Sequence, residues 1–313
     1  MPVIKIKHEE NSMNTSLEIQ KDMFDNMGSA VFDNEFFSRF ADRRSYKFLE
    51  LSDSISKEYQ FPTLYADVAS AIGIFMCSYD RAAELVARNL HRKVKPVRLT
   101  RGRSLIIFSC YEYKHVRGIA PYNEIAMAIP VMVNTALRPP VLPMLLSSSF
   151  THLGYCIVGM PVTSQENMIR GNKIWGLPKV TQRIDMETAG DFCVTTAYED
   201  DGDPYLTICV PRQGKSAQLD ECTYLYTRLN GKLLRSETNF KGVFNVVKHN
   251  DLLWKINARS DAPYIKIGNS PSAKILRELQ IEQHPFQLRY AEHVSSCFDL
   301  PDKQEPKWLR ELM

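Results

Sequence analysis

Apolar residues along the chain fall mostly into short runs with a two-residue period. Val97 to Tyr113 is rich in β-branched and aromatic residues. Ile125 to Val133 puts Ile125, Met127, Ile129 and Val131 on one face, and Leu153 to Val162 is almost wholly apolar. Further strand-like segments are Val180 to Met186, Phe192 to Tyr198, Tyr205 to Val210, Cys222 to Leu229, Phe244 to Lys248 and Tyr264 to Ile267. Asp201-Gly202 and Gly231-Lys232 read as turns between such runs. Short strands without long helices between them predict antiparallel β architecture, not a doubly wound sheet. Two helices are signalled by caps. Ser78 caps a helix whose apolar face is Ala82, Leu85, Val86 and Leu90, and Ser270 with Pro271 opens one carrying Ile275, Leu276 and Leu279. Between residues 31 and 60, Phe32, Phe36, Phe37, Phe40, Phe48 and Leu51 recur at roughly helical spacing. This predicts one or two amphipathic helices packing on the main body or on another subunit, with the phenylalanines suited to an oligomer contact. Residues 1–25 are polar and predict a frayed tail. The fold class is α+β, mainly antiparallel β: a barrel or sandwich with a few flanking helices.

Composition narrows the function classes. The chain has 313 residues, enough for a large core, with 44% hydrophobic and 24% charged residues, as in globular proteins. A formal net charge of +3 is too small to argue for a nucleic-acid partner. The densest basic stretch, Arg88 to Arg103, reads as a solvated helix end, turn and edge strand. Seven cysteines are odd in number and widely separated, and no CxxC pair occurs, so a reducing, cytoplasmic setting is expected. No signal-peptide-like segment and no apolar run of about 18 residues appears, so no membrane partner is expected.

The common chemical motifs are absent. There is no GxGxxG, Walker loop, HExxH or GxSxG, and no two of the seven histidines share ligand spacing, so neither a metal nor a cofactor is expected. Glu112 and His115, three apart, read as a surface turn. One segment stands out: Arg170-Gly171-Asn172-Lys173-Ile174-Trp175-Gly176-Leu177-Pro178-Lys179-Val180 sets a lysine directly after proline, at the start of an alternating strand.

That segment resembles the signature of the acetoacetate decarboxylase family, a glycine-led stretch ending in aromatic-or-Leu, Pro, Lys. The similarity extends upstream to Tyr122-Asn123-Glu124-Ile125 through Pro130, and to Phe61-Pro62 and the helix after Ser78. Downstream it covers Ile267-Gly268-Asn269-Ser270-Pro271 through Asp299-Leu300-Pro301. The motifs are short, but they stand in the right order over residues 61–302. The resemblance implies an antiparallel β-barrel or cone with flanking helices, usually in a homo-oligomer. It divides the chain into a tail and helical extension (1–60), the barrel domain (61–302) and a C-terminal tail (303–313). It also implies a Schiff-base lyase acting on a small-molecule carbonyl or keto acid. Lys179 is then the Schiff-base lysine and Glu124 the pocket carboxylate, with Trp175, Tyr122 and Arg170 as substrate-binding residues. Aldol, retro-aldol or dehydration chemistry and a non-catalytic binder stay open as alternatives.

Departures from the family pattern remove charge. Val180 stands where a second lysine is expected, Asn172-Lys173 where Arg-Glu is expected, and Thr63 where an arginine is expected. Ile106 takes the place expected of a second carboxylate. Arg170, Arg117 and Lys173 are the candidates for holding a substrate carboxylate in place of the missing arginine. A lysine of ordinary pKa, about 10.4, needs roughly 5 kcal/mol to become neutral near pH 7. Desolvation alone can lower a fully buried lysine by about 3–5 pKa units, so Schiff-base chemistry survives the loss of a neighbouring lysine.

Overall fold

A computed structural model of the chain describes residues 32, 35–100, 102–133, 152–255 and 262–302. The predicted tails, 1–25 and 303–313, lie outside them. The strands are β1 (Ser45–Ser52), β2 (Ile55–Phe61), β3 (Thr63–Ser78), β4 (Lys95–Pro96), β5 (Arg103–Val116), β6 (Tyr122–Met132), β7 (Leu153–Val162), β8 (Lys179–Thr181), β9 (Ile184–Ala189) and β10 (Phe192–Tyr198). They continue with β11 (Pro204–Pro211), β12 (Lys215–Leu229), β13 (Lys232–Lys248), β14 (Ile265–Ile267) and β15 (Pro285–Pro301). Helices are α1 (Glu35–Ser38), α2 (Tyr79–Asn89), α3 (Gln165–Arg170) and α4 (Lys274–Glu278).

Among the described residues, seven strands close into a barrel. Their order is β3, β15, β13, β12, β7, β6 and β5, with β5 returning to β3. Every seam is antiparallel except β7 with β12, and β8 adds to β7 in parallel at one end. Alternation along the strands sorts side chains to two cores. On β6, Ile125, Met127, Ile129 and Val131 face outward into an apolar layer shared with α2 and with the four-stranded sheet β14-β11-β10-β9. The intervening Ala126 and Ala128 face the barrel interior with Ile107 and Ile157. The helix predicted after Ser78 forms as expected. Ser78 Oγ accepts from the Arg81 amide, and Ala82, Leu85 and Val86 are buried.

Two expectations are corrected. Residues 45–61 form the β1–β2 hairpin, not a helix: Leu49, Leu51, Ile55, Tyr59 and Phe61 are buried in alternation, while Phe48 is 64% exposed. The helical spacing of the phenylalanines holds only at α1. There Phe36, Phe37 and Phe40, with Phe32, pack on Leu64 and Cys297 of the barrel's own outer wall, the main-body packing that the sequence offered beside a subunit contact. The last helix starts at Lys274, because Pro271 to Ala273 form a turn that leaves Ile275 on the surface. Among the described residues no helix is long and apolar enough to cross a membrane, and no group of His, Cys, Asp and Glu could hold a metal ion.

Candidate functional site

Lys179 is placed by the turn that precedes it. Ser164 caps α3 by accepting from the Asn167 amide, and α3 runs on into a π-helical turn over Gly171–Trp175. Gly176, at φ +63, reverses the chain in the left-handed region that favours glycine. Gly171 is needed for a different reason: a Cβ there would stand 2.4 Å from Lys179 Cδ and 2.8 Å from Cε. The lysine side chain thus runs directly over the glycine. Asn172 fixes the Lys179 backbone from both sides, its Oδ1 accepting from the Lys179 amide at 3.1 Å and its Nδ2 donating to the Lys179 carbonyl at 3.2 Å. Lys179 opens β8 facing inward, and Val180 turns outward at 50% exposure. A lysine at position 180 would therefore point away from the site.

Lys179 Nζ lies 2.5 Å from Glu124 Oε2, and both side chains are almost completely buried. The other carboxylate oxygen, Oε1, accepts from the Tyr113 hydroxyl at 3.4 Å. Burial pulls the Lys179 amine below its ordinary pKa. The Glu124 carboxylate opposes this by charge and hydrogen bonding, and the Arg170 guanidinium adds to the lowering. Tyr65, Tyr113 and Tyr122 stack beside the pair, with ring centroids 4.7 and 4.6 Å apart. Burial raises all three phenols, that of Tyr65 to about 12.

Lys179 and Glu124 both line a cavity inside the barrel with an empty volume of about 1410 Å³ counted out to its opening. The three residues expected to bind substrate are not among its lining residues. Tyr122 stands with its ring centroid 5.8 Å from Lys179 Nζ. Trp175 stacks on Phe298 at 4.7 Å and donates from Nε1 to the Asp299 carbonyl, which places it behind the wall. Arg170, 2% exposed, donates to Asn167 Oδ1 and to Thr63 Oγ1 and lies over the Tyr59 ring. Thr63, where the family pattern has an arginine, thus holds the guanidinium of an arginine supplied by α3. The other two candidate cations are elsewhere: Lys173 Nζ donates to the Glu50 carbonyl, and Arg117 lies over Phe32. Ile106 faces the outer core, so it is not the cavity position expected for a second carboxylate. The inward residues of β5 are Ile107, Ser109, Tyr111 and Tyr113.

Behind this wall, Glu166 is fully buried and its Oε1 accepts from Lys57 Nζ at 2.8 Å and from the Tyr59 hydroxyl at 2.6 Å. The β1–β2 hairpin is thereby tied to α3 immediately before the lysine segment. Sequence reasoning missed Asn172 and Tyr113. Tyr113 alternates with Ser109 and Tyr111 on one strand face, which is a legible signal. Asn172 becomes visible only once the π-helical turn folds it back over residue 179.

The model of the family described as "Acetoacetate decarboxylase (ADC)" matches residues 54–232, more than half of the chain. The chain belongs to the acetoacetate decarboxylase family. The solved acetoacetate decarboxylase of Legionella pneumophila is 11% identical, with a TM-score of 0.51 over 77% of this chain and 86% of that one. A second solved acetoacetate decarboxylase is 14% identical, with a TM-score of 0.50 over 77% of this chain and 87% of its own. At these identities the likeness establishes the shared fold: a closed seven-stranded barrel with flanking helices. No curated protein matches the chain.

Proposed function

We propose that this member of the acetoacetate decarboxylase family is a Schiff-base-forming lyase acting on a keto acid or related carbonyl compound, with Lys179 as nucleophile and Glu124 as its proton-transfer partner. The observation that carries this reading is the buried Lys179 Nζ, 2.5 Å from Glu124 Oε2, at one end of the barrel cavity. A proton passes from Nζ to Oε2, and the neutral amine adds to the substrate ketone. The carbinolamine takes that proton back on oxygen and loses water to give the iminium. For a β-keto acid, the bond to the carboxylate then breaks. Its electron pair moves into the iminium, carbon dioxide leaves, and the enamine is protonated at carbon before water releases the product. Arg170 supplies positive potential from behind the wall, both lowering the Lys179 amine and favouring a substrate carboxylate nearby.

One observation favours a second reading. Among the described residues, the cations lining the cavity are Lys179 itself and Arg289 on β15, so none beside the lysine contacts a substrate carboxylate directly. An iminium next to a lone carboxylate suits α-proton removal by Glu124, and hence aldol-type chemistry. Borohydride trapping with a panel of keto acids and aldehydes, followed by peptide mapping, tests both readings. An adduct on Lys179, lost in Lys179→Ala, is expected; carbon dioxide release separates decarboxylation from aldol chemistry. No adduct with any carbonyl compound would leave the chain a non-catalytic binder.

A further inference from the structure

The Lys179–Glu124 pair occupies one end of a cavity much larger than a four-carbon keto acid requires. Lys179 pairs with Met160 on β7, and the next inward residues back along that strand are Ile157 and Tyr155. Met160 and Tyr155 are five residue steps apart, about 16 Å of strand. The cavity lining is apolar at Ile107, Ala126, Ala128 and Ile157 and carries hydroxyls at Ser109 and Thr238. The strand directions place Tyr155, Glu221 and Arg289 together at the end remote from the lysine. β12 runs parallel to β7, so Glu221 precedes Leu225, the partner of Tyr155, and Arg289 lies near the start of β15, whose other end stacks on Trp175. The charges of Glu221 and Arg289 both act on the Tyr155 phenol, in opposite directions.

The remote polar groups are incompletely used. Arg289 Nε is buried without a hydrogen-bond partner among the described residues, and its Nη2 makes only a 3.4 Å contact to Gln287 Oε1. A donor, an acceptor and a phenol at the end of a mostly apolar passage suit a group that both accepts and donates, such as a hydroxyl. A carboxylate would meet Glu221.

We infer that the substrate is an elongated carbonyl compound: a reactive keto group at Lys179, an apolar body filling the passage, and a hydroxyl-type terminus held by Arg289, Glu221 and Tyr155. This rests on the Schiff-base reading only for which end of the molecule reacts; occupancy of the passage is a separate matter of shape and polarity. Each methylene buried along the passage strengthens binding, so affinity rises with chain length until the far end is reached.

Titration calorimetry of the Lys179→Ala protein with acetoacetate, β-ketooctanoate and β-ketolaurate reads the passage without imine formation. The dissociation constant is expected to fall by about a hundredfold or more from the shortest to the longest ligand. Ala128→Phe, which plugs the passage beyond the lysine, should abolish that gain while leaving acetoacetate unaffected. Arg289→Met should weaken an ω-hydroxylated β-ketolaurate about tenfold and leave the unsubstituted acid unchanged. Equal affinity for all chain lengths overturns the inference, even if wild-type protein traps acetoacetate on Lys179. A length preference with no borohydride adduct in the wild type overturns the covalent reading alone. Because the chain-length series needs no variant of the passage wall beyond the lysine, misfolding of Ala128→Phe does not decide the outcome.

Discussion

At Lys179, two neighbours push the amine in opposite directions, and this gives the pair a testable signature. The Glu124 carboxylate raises the amine and the Arg170 guanidinium lowers it, both on top of a larger lowering by burial. Under the proposed function the nucleophile is the neutral amine, so the pH midpoint for adduct formation follows the amine. It is expected below the ordinary lysine value of about 10.4. In Glu124→Gln the midpoint moves further down, because a raising influence is gone, even as the rate falls for want of a proton acceptor. In Arg170→Gln it moves up. Pre-steady-state trapping across pH measures both; shifts of the same sign would contradict the arrangement. Gly171 gives a sharper case. Gly171→Ala gains about 1 kcal/mol of helix propensity, against an overpacking cost of about 1–3 kcal/mol where its Cβ meets the lysine side chain. The net is a loss of about 0–2 kcal/mol, so the melting temperature should fall by at most a few degrees. Trapping should slow by about a hundredfold, because the side chain must be displaced. The motif order pointed to Lys179 and Glu124. Arg170 was one of three candidate cations in the sequence, but its bond to Thr63 and the Asn172 clamp were illegible, since both depend on a turn bringing distant backbone together.

Among the elements, legibility followed the local period. Strands Leu153–Val162 and Phe192–Tyr198 were read with their observed bounds because their ends coincide with turn residues. The stretch from 31 to 60 was misread because phenylalanines of two different elements fell into one apparent helical pattern. The true hairpin alternates at two, and its exposed Phe48 breaks the rule that aromatic residues mark the core. Strand β3 went unnamed because it is buried on both faces and so shows no alternation. The short helix α1 is held by its aromatic contacts to the barrel wall and by exposed ion pairs, Arg39 with Asp220 and Arg43 with Glu237. Phe37→Ala removes a buried ring that stabilises this docking by about 3–5 kcal/mol. The loss should stay local, exposing Arg39, Arg43 and Arg44 to trypsin under native conditions while borohydride trapping at Lys179 is unchanged. Global unfolding at the same denaturant concentration would show that α1 belongs to the cooperative core.

Over the whole molecule, the distribution of thiols reports how completely the barrel is closed. Every cysteine in the chain is described and none is paired in a disulfide. Cys77, Cys110, Cys156, Cys193 and Cys297 are buried, Cys209 is half-buried and Cys222 is exposed. Burial pushes the Cys77 and Cys110 thiols up to about 12, far from the thiolate a labelling reagent needs. A maleimide at neutral pH should therefore modify Cys222 first, Cys209 slowly, and the remaining five only after unfolding. Peptide mapping of a labelling time course gives that order directly.

The alternation along β6 has a consequence for how this protein can diversify. Its outward residues hold the barrel to the second sheet, whereas its inward ones shape the cavity and, at Glu124, meet Lys179. Stability is thus written on positions interleaved with those that shape the cavity and carry the proposed chemistry. Replacing Ala126 or Ala128 can redirect what the cavity accepts while the outer core and the Lys179 turn stay as they are. Relatives with the same chemistry can therefore differ widely in sequence and in what they bind, and mutational searches for new substrates belong on those inward positions.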